Sequence, residues 1–487
     1  MDSLLFLCAR CVVSQHPLPT IPAHIYPVIF QVAFLDGRPL ALRDLVATWQ
    51  FPELHLQRLL GRRELDLDHD YRPCIEAIIQ GVMEQLQQEQ EEPGSDSSRC
   101  QLRVLDMTGV PDNAFRLRLS LTKVLAKAYF EMSTYQQELQ RHQRKRRKGR
   151  SGATTATPQL RGVDVHTDLC VKRNSYEILH KAIQTRAASP LRIKCREFQA
   201  RDLSAKEIVT VLKSLDPSSL RRVDLYINKF GLKELSAIMP HLSRFQELCS
   251  LRMPCYVSDL HHRTPESATR IRDIAAQLGM LPGLRELNLE MLKVPGKLQQ
   301  FLCELQTPLE SLELRYSSLD PAELDFLSRS FHAPALKRLD LSGHNISRGF
   351  LEPLQLLLEK ASASLLYLDL SECHIDDSHL SVLLPTLLRC SRLRILRLCY
   401  NPLSMAPLKD LLQKILELPN LHQIFYPILK ECGGLEPSDF RINFVPDEER
   451  LAAAKAEFSQ ILVNSGRTDL IWTHDRKDHK AMDYFSL

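Results

Sequence analysis

The apolar positions of this chain follow a repeating template rather than one continuous amphipathic period. Leucines and their equivalents fall in the pattern L-x-x-L-x-L-x-x-N-x-L at Leu220-Val223-Leu225-Asn228-Phe230, Leu284-Leu287-Leu289, Leu309-Leu312-Leu314-Leu319, Leu336-Leu339-Leu341-Ile346, Leu365-Leu368-Leu370-Ile375 and Leu393-Leu396-Leu398-Asn401-Leu403. The last four copies begin 27, 29 and 28 residues apart. Leucine-rich repeats have periods of about 20 to 29 residues, the longest carrying a full helix. Weaker copies stand at Leu248-Leu251-Met253, Leu421-Ile424, Ile193-Cys195-Phe198, Leu169-Val171-Asn174 and Leu102-Leu105-Met107. Between them lie stretches with helical spacing, such as Pro321 to Phe331 and Ser378 to Leu388. One short strand and one helix cannot bury their leucines alone, whereas stacked units share a core.

The pattern predicts an α/β fold, a leucine-rich repeat solenoid: a horseshoe with parallel strands on the concave face and helices on the convex face, preceded by a helical N-terminal region. The expected divisions are a helical region over 1–100, a first repeat strand and helix over 101–135, a basic flexible linker over 136–162, repeats over 163–430 and a capping segment over 431–487. Within the cap, a helix from Asp447 to Val463 covers leucines that an open solenoid end would expose. The inward Asn of the template, which serves backbone groups where the chain leaves the strand, falls at Asn174, Asn228 and Asn401. His344 and Cys373 replace it in two clear units and are read as structural.

Composition narrows the function. Of 487 residues 44% are apolar, enough for a large core. Lys and Arg number 63 against 59 Asp and Glu, so no bulk field draws the chain to nucleic acid or membrane. Thirteen cysteines scattered from Cys8 to Cys432 lack the spacing of a secreted disulfide scaffold and suit a reducing compartment. The apolar run Leu4 to Val13 contains Arg10 and falls short of the roughly 20 residues of a membrane span. No small-residue cleavage site follows it. A cytoplasmic protein is expected, with the nucleus as a second compartment.

No H-E-x-x-H, phosphate-cradling G-x-x-x-x-G-K-[ST], dinucleotide glycine pattern or nucleophile elbow occurs. The expectation is a non-catalytic binding protein without cofactor or metal. Cys8-Ala-Arg-Cys11 with His16 offers at most three zinc ligands and no second pair, so these are read as helix residues. A polar run over 84–100 ends a helix. The basic run 141–150 has three readings: an import signal, a nucleic-acid patch lacking the aromatics that stack bases, or a solvated linker.

Strand alternation aims every second residue of each unit onto the concave face. That gives Arg222, Asp224 and Tyr226; Glu286, Asn288 and Glu290; Glu313 and Arg315; Arg338 and Asp340; Tyr367 and Asp369; and Arg397 as candidate contacts for a protein substrate. Glu313, Asp340 and Asp369 share one offset in neighbouring strands about 4.8 Å apart. The row repels itself unless a basic partner or flanking arginines offset it; alternatively its Asp residues are merely solvated. Reversing the three charges is expected to remove substrate binding and spare the fold.

The N-terminus carries a different pattern. Ser3-Leu4-x-x-x-Cys8-x-x-x-Val12 puts Leu4, Cys8 and Val12 on nearly one helix face and resembles the elongin-binding box of cullin-ligase substrate receptors. Ile21-Pro22-x-x-Ile25-x-x-x-Ile29 resembles the cullin-2 box, with Pro27 expected to kink its helix. A helix that merely caps the first repeat is the competing reading. With Thr48-Trp49-x-Phe51-Pro52, Leu102-Arg-Val-Leu-Asp-Met-Thr-Gly109, Leu339-Asp-Leu-Ser-Gly343, Asn401-Pro-Leu-Ser-Met405 and Asp483-Tyr-Phe-Ser-Leu487, these boxes resemble the PRAME family nearly end to end, and within it a branch named for its leucine-rich repeats. That resemblance implies a substrate receptor of a cullin-2 RING ubiquitin ligase leading to proteasomal degradation. Its implied partners are elongin B/C and cullin-2 with its RING protein, besides an unidentified substrate. As the alternative, it allows an inhibitory scaffold that binds a signalling kinase complex and restrains NF-κB signalling without ubiquitination.

Overall fold

A computed structural model describes residues 4–15, 17–60, 70–91, 101–109, 115–147, 162–184, 189–254, 256–257, 264–291, 296–346, 349–433, 447–467 and 469–474. Ser3, His16, most of the polar run (92–100), the linker from 148 to 161, the capping residues 434–446 and the motif Asp483–Leu487 lie outside them. The chain forms two compact units, Met1–Asp224 and Leu225–Leu487.

The first unit runs α1 (Leu4–Val13), α2 (Tyr26–Leu35), α3 (Pro39–Ala47), β1 (Glu53–His55), α4 (Leu56–Leu60), α5 (Arg72–Glu91), β2 (Val104–Asp106), α6 (Phe115–Arg147), β3 (Val163–Val171), α7 (Arg173–Gln184), β4 (Leu191–Ala200), α8 (Ala205–Ser214) and β5 (Arg222–Asp224). Its strands pair in that order, all parallel. Two expectations change here. The sheet starts inside the region read as helical, because β1 pairs with β2 in the register Leu54↔Leu105. The linker expected from residue 136 is instead the continuation of α6, which runs to Arg147; only its first half carries the apolar spacing that the sequence shows. β3 and β4 extend to nine and ten residues through a bulge at Thr167/Asp168. Asp168 is buried at that bulge, where it accepts the Gly109 amide at 2.8 Å and pairs with Arg196 at 2.9 Å.

An aromatic core supports the N-terminal helices. Trp49 is buried against Tyr26, Phe30 and Phe51, and its indole N–H donates to the Glu53 carbonyl at 3.1 Å. An indole can be buried at low cost when its N–H finds such an acceptor, so the Trp-x-Phe-Pro segment is a packing motif.

The second unit runs β6 (Lys229–Phe230), α9 (Leu232–Leu242), β7 (Ser250–Arg252), β8 (Tyr256–Val257), α10 (Pro265–Gly279), β9 (Glu286–Asn288), α11 (Leu298–Cys303), β10 (Ser311–Glu313), α12 (Pro321–Arg329), β11 (Arg338–Asp340), α13 (Leu351–Ala361), β12 (Tyr367–Asp369), α14 (Asp377–Arg389), β13 (Ile395–Arg397), α15 (Met405–Ile415), β14 (Gln423–Phe425), α16 (Glu448–Ser465) and β15 (Ile471–Thr473). Its main sheet, β7-β9-β10-β11-β12-β13-β14-β15, is parallel throughout and unclosed. The register stacks Leu251, Leu287, Leu312, Leu339, Leu368, Leu396 and Ile424 in one buried row, each side chain adding roughly 1.5 to 3 kcal/mol by burial. This is the leucine-rich repeat solenoid that the template predicts.

Local chemistry starts and stops the elements. Asp320 caps α12 by accepting the Glu323 amide, Glu323 returns to the Asp320 amide, and Pro321 sits at the first helical turn. The chain leaves the strand through a left-handed residue at the same position in five successive units: Met291, Tyr316, Gly343, Glu372 and Tyr400. The inward polar position behaves as expected at Asn401, which bonds the Leu370 and Leu398 carbonyls and the Cys373 and Ile375 amides. Asn228, His344 and Cys373 likewise reach backbone carbonyls. Asn174 does not: it lies exposed on α7, and the Ser175 hydroxyl serves the turn at Lys172. At the far end α16 begins on its Asp447 cap, and Phe458 packs on Tyr426 and Trp472.

Candidate protein-interaction surfaces

α1 is amphipathic in an unusual sense. Phe6, Ala9 and Val13 turn inward, and α1 packs on α2. The opposite side presents Leu4, 78% exposed, with Leu5, Leu7, Cys8 and Cys11 also exposed and Val12 half-buried. Arg10 ties the helix to Asp36 at 3.1 Å. A capping helix would bury its leucines, whereas this one is anchored by a separate stripe and keeps Leu4 and Cys8 in solvent.

The second box is divided. Ile21 and Ile25 are half-buried and Pro22 is exposed, whereas Ile29 is 2% exposed and belongs to the core. Pro27 makes no kink. It occupies the first turn of α2, where its missing N–H is not needed and its fixed φ suits the helix.

The polar face of the second unit is a network in which arginines lie over aromatic rings. Arg252 stands 3.9 Å from the Tyr226 ring centre and pairs with Glu290 at 2.7 Å. Arg338 lies over Tyr367 at 4.2 Å and pairs with Glu313 at 3.1 Å; Arg397 lies over Phe425 at 4.8 Å and pairs with Asp369 at 3.2 Å. Arg315 faces Glu372 at 3.9 Å, and the Tyr316 hydroxyl donates to Glu372. Glu286 is half-exposed on β9, and Asn288 donates to Glu313. In the first unit Arg222 and Asp224 are half-exposed, with Asp224 accepting from Gln199 at 2.8 Å.

Three residues expected on the surface are mostly covered: Asp340 is 8% exposed, Tyr367 7% and Asp369 6%. The Asp residues brace the turn. Asp340 accepts the Ser342 amide at 2.9 Å and its hydroxyl at 2.6 Å, and Asp369 accepts the Ser371 amide at 2.9 Å. Asn288 and Asp106 make the same bond two residues on. The triple charge reversal therefore would not spare the fold, because it places lysines at two buried, bonded positions. Burial pushes the Asp340 carboxyl up to about 7, with Asp369 and Glu313 adding to the shift and the Ser342 bonds opposing it. Arg252 and Phe425 were missed, although the alternation rule applied to the weaker repeats would have found them. Tyr316 and Glu372 sit on the left-handed turn, where strand alternation gives no direction.

Among the described residues no group of three or more His, Cys, Asp or Glu could hold a metal, and no helix is long and apolar enough to cross a membrane. Burial pushes the thiols of Cys74, Cys170 and Cys390 up to about 11, away from reactivity.

Comparison with known proteins finds relatives along the whole chain. Leucine-rich repeat-containing protein 14 of Xenopus laevis is 37% identical over 511 residues, and the mouse and human proteins of that name are 38% identical over 508, each alignment covering 100% of both chains. Among solved structures, the leucine-rich repeat-containing protein LegL7 from Legionella pneumophila is 18% identical with a TM-score of 0.36, covering 63% of this chain and 91% of its own. Rad7, in the yeast Rad7 and Elc1 complex, is 14% identical with a TM-score of 0.42, covering 91% and 98%. Residues 7–115 match the PRAME N-terminal domain and 163–475 the PRAME C-terminal domain, so this chain belongs to the PRAME family.

Proposed function

We propose that this leucine-rich repeat protein is the substrate-recognition receptor of a cullin-2 RING ubiquitin ligase, holding its substrate on the polar face of the second unit and the ligase at its N-terminus. The observation that carries this reading is α1. Phe6, Ala9 and Val13 fix the helix to its unit while Leu4 and Cys8 stand in solvent on the side where the elongin-binding box places them. Leu4 would fill an apolar pocket on elongin C, and the small Cys8 side chain would let the two helices approach closely. Ile21, Pro22 and Ile25 remain available to cullin-2; Ile29 supports α2 from within. The chemistry of ubiquitin transfer belongs to the partners, and this chain contributes position.

The test is recovery of the tagged chain from cells, read for elongin B, elongin C, cullin-2 and the RING protein. The proposal expects all four with the wild type and none with Leu4→Ala/Cys8→Phe. Equal recovery by both proteins would overturn it, and recovery of a signalling kinase complex in their place would favour the inhibitory scaffold.

A further inference from the structure

The exposed side of α1 carries two thiols about one helical turn apart. Cys8 and Cys11 are both exposed, whereas the other cysteines described in the first unit, Cys74, Cys170 and Cys195, are buried. In the second unit Cys303 is exposed, and its helix α11 holds no second cysteine. Cys8 is also the residue that the receptor reading sets against elongin C. We propose that Cys8 and Cys11 are a reversible redox pair, whose disulfide closes the docking face of α1.

Helix geometry permits the bond. An offset of three residues puts the two Cα atoms about 5 Å apart, inside the roughly 4.4 to 6.8 Å that a disulfide spans. The Cβ atoms of such a pair stand about 5 to 6 Å apart, against roughly 3.5 to 4.5 Å once bridged, so closure draws one turn together. The chain can yield at Cys11, two residues before α1 ends at Val13. The closing turn hangs on Ser14, whose amide reaches the Arg10 carbonyl at 3.3 Å and whose hydroxyl donates to the Cys11 carbonyl at 2.7 Å. Phe6, Ala9 and Val13 hold the opposite stripe, so the adjustment falls on the exposed side. A bond made under such tension stays readily reducible.

Glutathione disulfide is the oxidant. One cysteine thiolate attacks a glutathione sulfur, forming a mixed disulfide and releasing the first glutathione as thiolate. The second cysteine thiolate attacks the protein sulfur of that adduct, forming the Cys8–Cys11 bond and releasing the second glutathione. Two cysteines have then lost two protons and two electrons, and one glutathione disulfide has become two glutathiones. Both oxidised forms oppose docking: the adduct places a tripeptide where the helices approach, and the bridge turns the Cys8 sulfur towards Cys11 and shifts Val12 with its turn. This regulation rests on the receptor reading, whereas the disulfide itself does not.

The test exploits Arg10, which lies between the two cysteines. The purified full chain is incubated with glutathione disulfide, alkylated, desalted and cut with trypsin. Cleavage after Arg10 separates Met1–Arg10 from Cys11–Arg43, since Arg38 precedes Pro39 and resists the enzyme. Mass spectrometry should find these two peptides joined, and dithiothreitol should part them. Cys11→Ser should stop at the Cys8–glutathione adduct. In a parallel titration the oxidised, desalted chain should bind elongin B/C at least about tenfold more weakly than the reduced chain, the scale of one interface anchor lost. Reduction should restore the affinity. Absence of the joined peptides in the oxidised wild type would overturn the redox pair, and equal elongin affinity of the joined and reduced forms would overturn its regulatory role. The peptides are scored without elongin, so their absence leaves docking through α1 intact. Failure of the reduced chain to bind elongin would instead sink the receptor reading, and with it the regulation, while the joined peptides still decide the disulfide.

Discussion

Gly343 occupies the left-handed turn position, with φ 79°, that Met291, Tyr316, Glu372 and Tyr400 fill in neighbouring units. Side chains are tolerated at those four, so conformational strain alone does not demand glycine. The added requirement is the Tyr316 ring, which lies where a Cβ on residue 343 would sit. Gly343→Ala should therefore cost about 1 to 3 kcal/mol and release the Tyr316 hydroxyl from Glu372, visible as a lower urea midpoint. Asp340 supplies a second residue-scale prediction. Its folded pKa of about 7 lies above the ordinary 3.8, so the native state binds a proton that the unfolded chain has lost. Stability therefore falls as pH rises from about 4 to 7. Asp340→Asn removes that penalty, and its stability relative to wild type, from urea unfolding, should increase between pH 5 and pH 8; a constant difference would refute the assignment. The sequence placed Asp340 and Asp369 on the correct face and offset but could not reveal their bonds to Ser342 and Ser371, because alternation gives direction and not distance.

At the scale of the element, the leucine template was legible because burial enforces it. Apart from β6 and β8, the strands from β5 to β14 fall at the template positions, and α16 matches its expected span within two residues at either end. Leu341, 2% exposed behind β11, should cost about 2 to 5 kcal/mol when cut to Ala, and calorimetry should show neighbouring repeats weakened with it. What escaped were elements without apolar periodicity. β1 is a three-residue strand recognisable only by its partner, and β15 depends on a turn that Arg467 organises. That guanidinium donates to the carbonyls of Leu416, Leu418 and Leu421 just past α15, at 2.9, 3.0 and 2.7 Å. Arg467→Met keeps most of the side-chain volume and removes these charge-assisted bonds, so a loss of about 2 kcal/mol is expected. An unchanged melting temperature would show that water serves those carbonyls equally well. Pro27 illustrates the converse error: as a motif residue it suggested a kink, yet its place in the first turn of α2 makes it a helix starter.

For the whole molecule, fold and family were written in repeated positions along the chain, whereas the binding surfaces depend on which side chains the fold leaves uncovered. The four-residue spacing put Leu4 and Cys8 on one helix face; only the structure separates that face from the Phe6, Ala9 and Val13 stripe that anchors it. Ile29 followed an equally good spacing and is core. The most direct measurement of the receptor account is titration of purified elongin B/C complex into the purified full chain by calorimetry, beside a Leu4→Ala/Cys8→Phe variant with an unchanged melting temperature. The account predicts saturable one-to-one binding by the wild type and none by the folded variant. Absence of binding by the wild type, or equal binding by both proteins, would contradict it.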